Sequence, residues 1–243
     1  MTTRIRVGVV RFPGSNCEQD VLECFNDPEW SQAYSVQAHY LWHQSGHLDP
    51  SIDWVILPGG FSYGDTLRSG ALASLSPIMR AIHDHARQGK PVLGICNGFQ
   101  MLVESGLLPG GDQRAALQPN RQGAFLCENV SLTVENTNTL FTQQYRPQQV
   151  ITLPIAHAEG NFICDNNTLQ RLEEEQQVVF RYTGDVNGSM NQIAGICNPQ
   201  GNVLGLMPHP ERALTQTATH SADGQALFQS VLSSLYSRVV SLV

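Results

Sequence analysis

The chain contains 243 residues, of which 41% are hydrophobic and 14% are charged. These values exclude an intrinsically disordered chain, which combines low hydrophobicity with high net charge. The net charge is -7 and Lys90 is the only lysine. Nucleic acid and anionic membranes are therefore not expected as partners, because both attract basic surfaces.

No apolar stretch approaches the roughly 18 residues that a membrane-spanning helix needs. The N-terminal segment is too often interrupted by arginine to be a signal peptide. We therefore expect a cytoplasmic protein. Its six cysteines are dispersed along the chain, which favours reduced thiols over a disulfide framework.

The chain as far as Gly110 alternates between predicted strands and helices. Short apolar runs predict strands over 5–10, 36–40, 54–57 and 92–95. A helix is predicted from Ser76 and Pro77, which are typical of a helix N-terminus, to the stop at Gly89. This alternation predicts a parallel sheet with helices on both faces.

Beyond Gly110 short β-type runs predict antiparallel strands added to that core. They occupy 130–134, 150–155, 178–182, 193–197 and 203–206. A closing amphipathic helix is predicted from apolar residues four apart, namely Leu227, Val231, Leu235 and Val239. No repeat or linker interrupts the sequence, so residues 1–243 are interpreted as one domain of α/β class with a mostly parallel, open sheet.

Cys96 lies in Gly94-Ile-Cys-Asn-Gly98, between a buried strand and a predicted helix. This is the thiol counterpart of the Gly-x-Ser-x-Gly nucleophile elbow, in which small flanking residues permit a tight turn. A helix N-terminus favours negative charge on the sulfur. Cys96 is therefore a candidate nucleophile, and a buried structural thiol is the alternative.

A thiol nucleophile needs a base and a group that orients the base. His209 precedes Pro210, which favours an extended conformation for the histidine. Residues two apart in an extended chain point to the same side, so the Glu211 carboxylate is expected beside the imidazole. The alternative is a stiff surface turn with a solvated ion pair.

Rigid backbone N–H groups commonly stabilise the negative charge that develops on a reacting carbonyl oxygen. Gly59 and Gly60 follow the strand over 54–57, where a substrate could contact the main chain. The region of Gly60 and the amide of Asn97 are predicted to form an oxyanion hole. An ordinary turn at a strand end is the alternative.

No metal site or cofactor is predicted on this chain. His39, His43 and His47 are four apart, but Ser45 and Gly46 interrupt any helix there, and no further ligand is suitably spaced. The sequence contains neither Gly-x-x-x-x-Gly-Lys-Ser/Thr nor Gly-x-Gly-x-x-Gly, so no nucleotide site is predicted.

Six motifs resemble those of class I glutamine amidotransferases, and more narrowly the small glutaminase subunits of phosphoribosylformylglycinamidine synthases. In chain order they lie at 12–17, 57–65, 94–100, 157–161, 187–189 and 207–213. The strings Gly59-Gly-Phe-Ser-Tyr-Gly-Asp65 and Cys96-Asn-Gly-Phe-Gln100 carry the narrower resemblance. Together the motifs extend over nearly the whole chain.

The resemblance implies that Cys96, His209 and Glu211 form a catalytic triad. It also implies a pocket for substrate glutamine, with contacts from Gly59, Phe61, Gln100, His157 and Gly160. The implied reaction hydrolyses L-glutamine through a cysteine thioester and releases ammonia.

The same resemblance implies two protein partners. A large synthase subunit would use the ammonia to convert phosphoribosylformylglycinamide to the amidine in purine biosynthesis, and a small accessory subunit would assist assembly. ATP and magnesium are expected on the large subunit, in agreement with the lack of a nucleotide motif here.

Three alternatives remain open from the sequence. A glutaminase subunit of another amidotransferase would have the same triad. A peptidase or deglycase with a similar elbow generally has its histidine close after the cysteine, and none follows Cys96 closely. A docking or regulatory subunit could have this fold, but it would not need an intact set of Cys, His and Glu.

Overall fold

The computed structural model describes residues 4–26, 30, 33–217 and 221–240. In this part of the chain, a nine-stranded mixed sheet is accompanied by a two-stranded sheet and by helices. The strands are β1 Ile5–Arg11, β2 Val36–Trp42, β3 Trp54–Leu57, β4 Val92–Ile95, β5 Ala115–Gln118, β6 Leu126–Val134, β7 Val150–His157, β8 Asn161–Cys164, β9 Val178–Tyr182, β10 Ile193–Cys197 and β11 Val203–Leu206.

Helices connect and flank these strands. The α-helices are α1 Glu18–Cys24, α2 Ala71–Ser74, α3 Pro77–Arg87, α4 Asn97–Glu104, α5 Asn166–Glu174 and α6 Gln225–Val240. Short 3₁₀ segments are Ser62–Asp65, Met190–Gln192 and Pro210–Arg212. No helix among the described residues has both the length and the apolarity needed to cross a membrane.

The large sheet has the strand order β2-β1-β3-β4-β11-β10-β9-β6-β7. Its first five strands are parallel, and the pairs from β11 to β7 are antiparallel. The small sheet pairs β5 with β8. The predicted α/β class with a parallel core and added antiparallel strands is confirmed.

Burial follows from the position of each strand in the sheet. Every residue of β3 and β4 is buried, as expected for central parallel strands covered on both faces. In contrast, β7 alternates between buried and more exposed residues, the pattern of a strand with one face toward the core. The parallel strands β3, β4 and β11 all end at the same edge, which brings the segments that follow them together.

Two parts of the sequence interpretation need correction. The strand over 203–206 was expected to be antiparallel, but β11 is antiparallel only to β10 and is parallel to β4. Its residues are wholly buried, and such an apolar run suits either strand direction, so the pattern alone does not reveal its place in the parallel core. The helix α5 was not predicted, since its polar sequence has few apolar residues. Asp165 caps it by accepting a hydrogen bond from the Thr168 N–H.

The predicted C-terminal helix is confirmed as α6. Leu227, Val231 and Leu235 are buried, as their four-residue spacing predicts. The fourth predicted position, the side chain of Val239, lies outside the described residues.

Candidate active site

Cys96 lies in the tight turn between β4 and α4. Its backbone has φ 51° and ψ -106°, a conformation that non-glycine residues rarely adopt. Its N–H donates a hydrogen bond of 2.8 Å to the Leu206 carbonyl, which fixes the turn to β11. The strained backbone is therefore held by the hydrogen bonding of the central sheet.

The flanking glycines are required by close backbone contacts. A Cβ atom at Gly98 would lie 2.0 Å from the Leu57 carbonyl oxygen, and one at Gly94 would lie 2.6 Å from the Gly98 carbonyl oxygen. These distances are far inside van der Waals contact. The Gly-x-Cys-x-Gly spacing thus lets α4 pack directly against the ends of β3 and β4.

Gly59 brings the separate parts of the site together. A Cβ atom at this position would lie 2.8 Å from Cε1 of His209, 3.5 Å from Cβ of Cys96 and 3.1 Å from Sγ of Cys17. The structure thus places Cys96 and His209 beside the same glycine, at the shared edge of β3, β4 and β11. The nucleophile and the base that it needs, which are 113 residues apart in the sequence, therefore meet in the structure.

His209 and Glu211 form a buried pair. Nδ1 of His209 lies 2.6 Å from Oε1 of Glu211, and the two side chains are 2% and 0% exposed. The solvated surface turn is excluded by this burial. The expected proximity is present, but Pro210–Arg212 is a 3₁₀ turn and not an extended strand. The His209 N–H also donates to the Pro154 carbonyl, which ties the turn to β7.

The pair determines the charge of the imidazole. Burial alone lowers the pKa of His209, but the Glu211 carboxylate and the Cys96 sulfur more than offset that effect and raise the pKa above its ordinary value. Nε2 of His209 is buried and makes no hydrogen bond with the described residues. The site therefore favours an imidazolium whose second nitrogen is available for proton transfer.

The predicted oxyanion donors are available. Gly60 has φ +132°, and a Cβ there would lie 2.7 Å from the Asn16 nitrogen. No hydrogen bond among the described residues uses the N–H of Gly60 or of Asn97. In contrast, the N–H of Phe61 donates to the Gly14 carbonyl, and its side chain is 44% exposed.

His157 and Gly160 are linked by a side chain that the sequence interpretation did not single out. Oδ1 of Asn120 accepts hydrogen bonds from Nδ1 of His157 at 3.0 Å and from the Gly160 N–H at 3.1 Å. Burial, together with the charge of nearby His209, lowers the pKa of His157 to about 4. His157 is therefore neutral at pH 7, with its proton on Nδ1.

Gln100 connects α4 to the loop after β7. Its Nε2 donates to the Glu159 carbonyl, and its Oε1 accepts a hydrogen bond of 2.8 Å from Nδ2 of Asn97. Oδ1 of Asn97 in turn accepts from the Ser62 N–H. Gln100 is 5% exposed. Directly and through Asn97, it joins α4 to the loop at Glu159 and to the segment at Ser62. One hydrogen and one lone pair of its amide remain for a substrate.

Cys17 is the main site residue that the sequence reasoning missed. Burial raises the pKa of its thiol to about 12, against the lowering effect of Arg212. Nη2 of Arg212 donates to the Cys17 Sγ at 3.1 Å. The Cys17 thiol therefore stays protonated at pH 7. Its place in the motif at 12–17 was the signal that could have indicated it.

The histidines at 39, 43 and 47 do not form a metal site in the described structure. Nδ1 of His43 lies 3.0 Å from the Tyr63 hydroxyl and 3.4 Å from the Ser76 hydroxyl. His43 is a buried histidine with hydrogen-bond partners, and the three do not form a cluster of potential ligands.

The fold and the site together define a class of protein. A mixed α/β sheet with a cysteine elbow and an adjacent histidine and glutamate is the arrangement of a class I glutamine amidotransferase. The family described as CobB/CobQ-like glutamine amidotransferase domain matches residues 4–238. The chain belongs to this family.

Individual relatives narrow the comparison. Phosphoribosylformylglycinamidine synthase subunit PurQ of Trichormus variabilis is 53% identical over 94% of this chain and 97% of its own. The protein of the same name from a Nostoc species is 52% identical with the same coverage. A solved structure of PurLQS from Thermotoga maritima contains a chain that is 41% identical, with a TM-score of 0.82, over 95% of this chain and 99% of that one.

Proposed function

We propose that this chain is the glutaminase subunit of a phosphoribosylformylglycinamidine synthase. It hydrolyses L-glutamine to glutamate and supplies the ammonia for the conversion of phosphoribosylformylglycinamide to the amidine in purine biosynthesis. The names of its relatives support the pathway. The observation that carries the chemistry is the meeting of Cys96 with the buried His209–Glu211 pair around Gly59.

The first half of the reaction forms a covalent intermediate. The Cys96 thiolate attacks the side-chain amide carbon of glutamine, and the N–H groups of Gly60 and Asn97 donate to the developing oxyanion. The imidazolium of His209 gives its proton to the departing nitrogen as the carbon–nitrogen bond breaks. Ammonia leaves, and a γ-glutamyl thioester remains on the sulfur.

The second half restores the enzyme. His209, now neutral, removes a proton from a water molecule that attacks the thioester carbonyl. The carbon–sulfur bond breaks, glutamate is released, and the cysteine leaves as thiolate beside the imidazolium. Glu211 holds the imidazole through Nδ1 and stabilises its charged form in both halves. Gly59, Phe61, Gln100, His157 and Gly160 form or support the pocket for the glutamine.

The ammonia needs a protected acceptor, because in water it is rapidly protonated and loses its nucleophilicity. We therefore assign ATP, magnesium and the acceptor to a large synthase subunit that docks on this chain, with a small accessory subunit assisting assembly. The solved complex of a relative, titled PurLQS, supports such an assembly. We place the complex in the cytoplasm.

The proposal is tested by comparing two nitrogen sources. Cys96→Ser, assayed with its synthase partner, is expected to lose glutamine-dependent synthesis by at least about a thousandfold, since the nucleophile is removed. Synthesis from added ammonium salt should remain at the wild-type level. The matched control is Cys197→Ser, a buried thiol in β10 outside the site, which should retain both activities.

Two outcomes would contradict the proposal. Equal loss of the glutamine- and ammonium-dependent reactions in Cys96→Ser would show that Cys96 supports docking. Full glutamate release by Cys96→Ser would show that another group performs the attack.

A further inference from the structure

Cys17 lies in the active site, yet the proposed reaction gives it no task. Its sulfur is 3.1 Å from the position a Cβ of Gly59 would take, and the same position is 2.8 Å from Cε1 of His209. Cys17 is 3% exposed. A second thiol beside a histidine and a carboxylate is a combination with its own chemistry, because sulfur, imidazole nitrogen and carboxylate oxygen are the ligands of zinc.

The geometry points to a binding site for zinc formed by Cys17, His209 and Glu211, and we propose that zinc bound there inhibits the glutaminase. One ligand atom from each residue lies within 4.8 Å of the other two. This is slightly wider than a tetrahedral zinc site, so small side-chain movements would close it. The three protein ligands leave a fourth position for water.

One buried atom at the site is without a partner and supports this assignment. Oε2 of Glu211 is buried and makes no hydrogen bond with the described residues. Buried polar atoms normally have partners. The mechanism uses Nε2 during turnover, but it assigns nothing to Oε2. A cation bound by the carboxylate would satisfy that oxygen.

The charges at the site are compatible with a divalent cation. A Cys17 thiolate and the Glu211 carboxylate together neutralise zinc, and binding releases the thiol proton and the imidazolium proton to solvent. Arg212 opposes binding, since Nη2 donates to the Cys17 sulfur. Its guanidinium is also paired with Asp20 at 2.9 Å, and the side chain is 35% exposed. It can therefore turn toward Asp20 and solvent while it keeps that partner.

Occupation of this site would stop catalysis directly. A zinc-bound imidazole nitrogen cannot carry a proton, and a zinc-bound Glu211 no longer stabilises an imidazolium. The inhibitory half of the inference rests on the proposed glutaminase function, whereas the binding half does not. The two are therefore tested separately.

Binding is measured with cadmium, whose bond to a thiolate absorbs in the ultraviolet, in full-length chains that lack the catalytic sulfur. Cys96→Ser is expected to bind one cadmium ion with a thiolate absorption band. Adding Cys17→Ser should weaken binding by at least about 100-fold, because removing a direct ligand costs no less than removing a partner that supports one. The matched control adds Cys197→Ser, a buried thiol in β10 outside the site, and should bind as the single variant does.

If the Cys17→Ser/Cys96→Ser chain shows the same thiolate absorption band and the same affinity for cadmium as the Cys96→Ser chain, Cys17 is not a ligand and the assignment is overturned. Loss of binding in the control chain with Cys197→Ser would also overturn it. Zinc should displace the cadmium from the Cys96→Ser chain, and failure to compete would overturn the choice of zinc.

Inhibition is measured as glutamate release in the presence of the synthase partner and added zinc. Zinc should inhibit the wild type, and Cys17→Ser should need about 100-fold more zinc for the same effect. Equal inhibition of both proteins would assign it to Cys96 and overturn the proposal. If the wild type releases no glutamate even without added zinc, whereas the Cys96→Ser chain binds cadmium through Cys17, the glutaminase function is contradicted and the metal site stands.

Discussion

At the scale of single residues, the buried His209–Glu211 pair controls the chemistry. Two opposing effects act on the imidazole: burial disfavours its charged form, and the carboxylate 2.6 Å away favours it. Burial is the largest single effect, but the carboxylate and Cys96 together outweigh it and raise the pKa. A substitution that removes the charge of Glu211 but keeps its shape should therefore lower the pKa of His209 instead of raising it.

Glu211→Gln tests this balance. The pKa of His209 is expected to fall below its ordinary value, because burial would remain while the attraction of the carboxylate is lost. Glutamine-dependent activity should fall by about 10²- to 10⁴-fold, the usual contribution of positioned acid–base catalysis. NMR titration of the histidine ring nitrogens measures the pKa, and glutamate release measures the activity.

The control for this change is His47→Gln, an exposed histidine outside the site. It should leave the titration of His209 and the activity as they are. A raised pKa of His209 in Glu211→Gln would show that Cys96, and not the carboxylate, holds the imidazolium.

The sequence was informative about residues whose role depends on near neighbours. Cys96 is indicated by its flanking glycines, and the contact of His209 with Glu211 by their spacing. Cys17 and Asn120 could not be placed in the same way. Each reaches the site through sheet pairing between segments far apart in the chain, which no local pattern encodes.

At the scale of elements, the turn between β4 and α4 depends on the absence of side chains at two positions. Gly98 lies inside a helix, where alanine would normally be more favourable by about 0.5–1 kcal/mol. The Cβ of an alanine there would lie 2.0 Å from the backbone oxygen of Leu57. A backbone atom of a central strand cannot easily move away, so the steric cost should dominate.

Gly98→Ala is therefore expected to lower the free energy of unfolding by about 3 kcal/mol, the upper range for an overpacked core. It should also displace Cys96, with loss of glutamine-dependent activity. Urea unfolding followed by circular dichroism measures the stability. Gly46→Ala is the matched control, since a Cβ there has no atom within 4 Å. Equal stability of the two variants would contradict this account of the elbow.

The sequence predicts those elements in which apolar residues form a continuous run or recur at a regular spacing. The wholly apolar runs of β3 and β4 and the four-residue spacing in α6 predict their elements directly. The helix α5 has only Thr168 and Leu172 buried, which is too little periodicity to identify it. The direction of β11 relative to β4 depends on strand order, and its apolar composition suits either direction.

At the scale of the whole molecule, buried titratable groups make stability depend on pH. Burial, with a further contribution from Lys90, lowers the pKa of His85 to about 4, and burial does the same for His157. Burial raises the pKa of Asp65 to about 6. Between pH 6.5 and 4 the unfolded chain therefore binds protons at both histidines before the folded chain does, whereas at Asp65 the folded chain binds first.

The two histidines consequently stabilise the fold above pH 6.5 and lose that contribution as the pH falls to 4, while protonation of Asp65 partly offsets the loss. For His85, the difference between a pKa of 6.5 and one of about 4 corresponds to about 3 kcal/mol.

His85→Gln removes this titration. Between pH 6.5 and 4, its free energy of unfolding should fall by about 3 kcal/mol less than that of the wild type, as measured by urea unfolding at each pH. The control is His47→Gln, at an exposed histidine, and its free energy of unfolding should change with pH as that of the wild type does. If the free energy of unfolding changes with pH equally in all three proteins, His85 has the same pKa in the folded and unfolded chains, and this account is wrong.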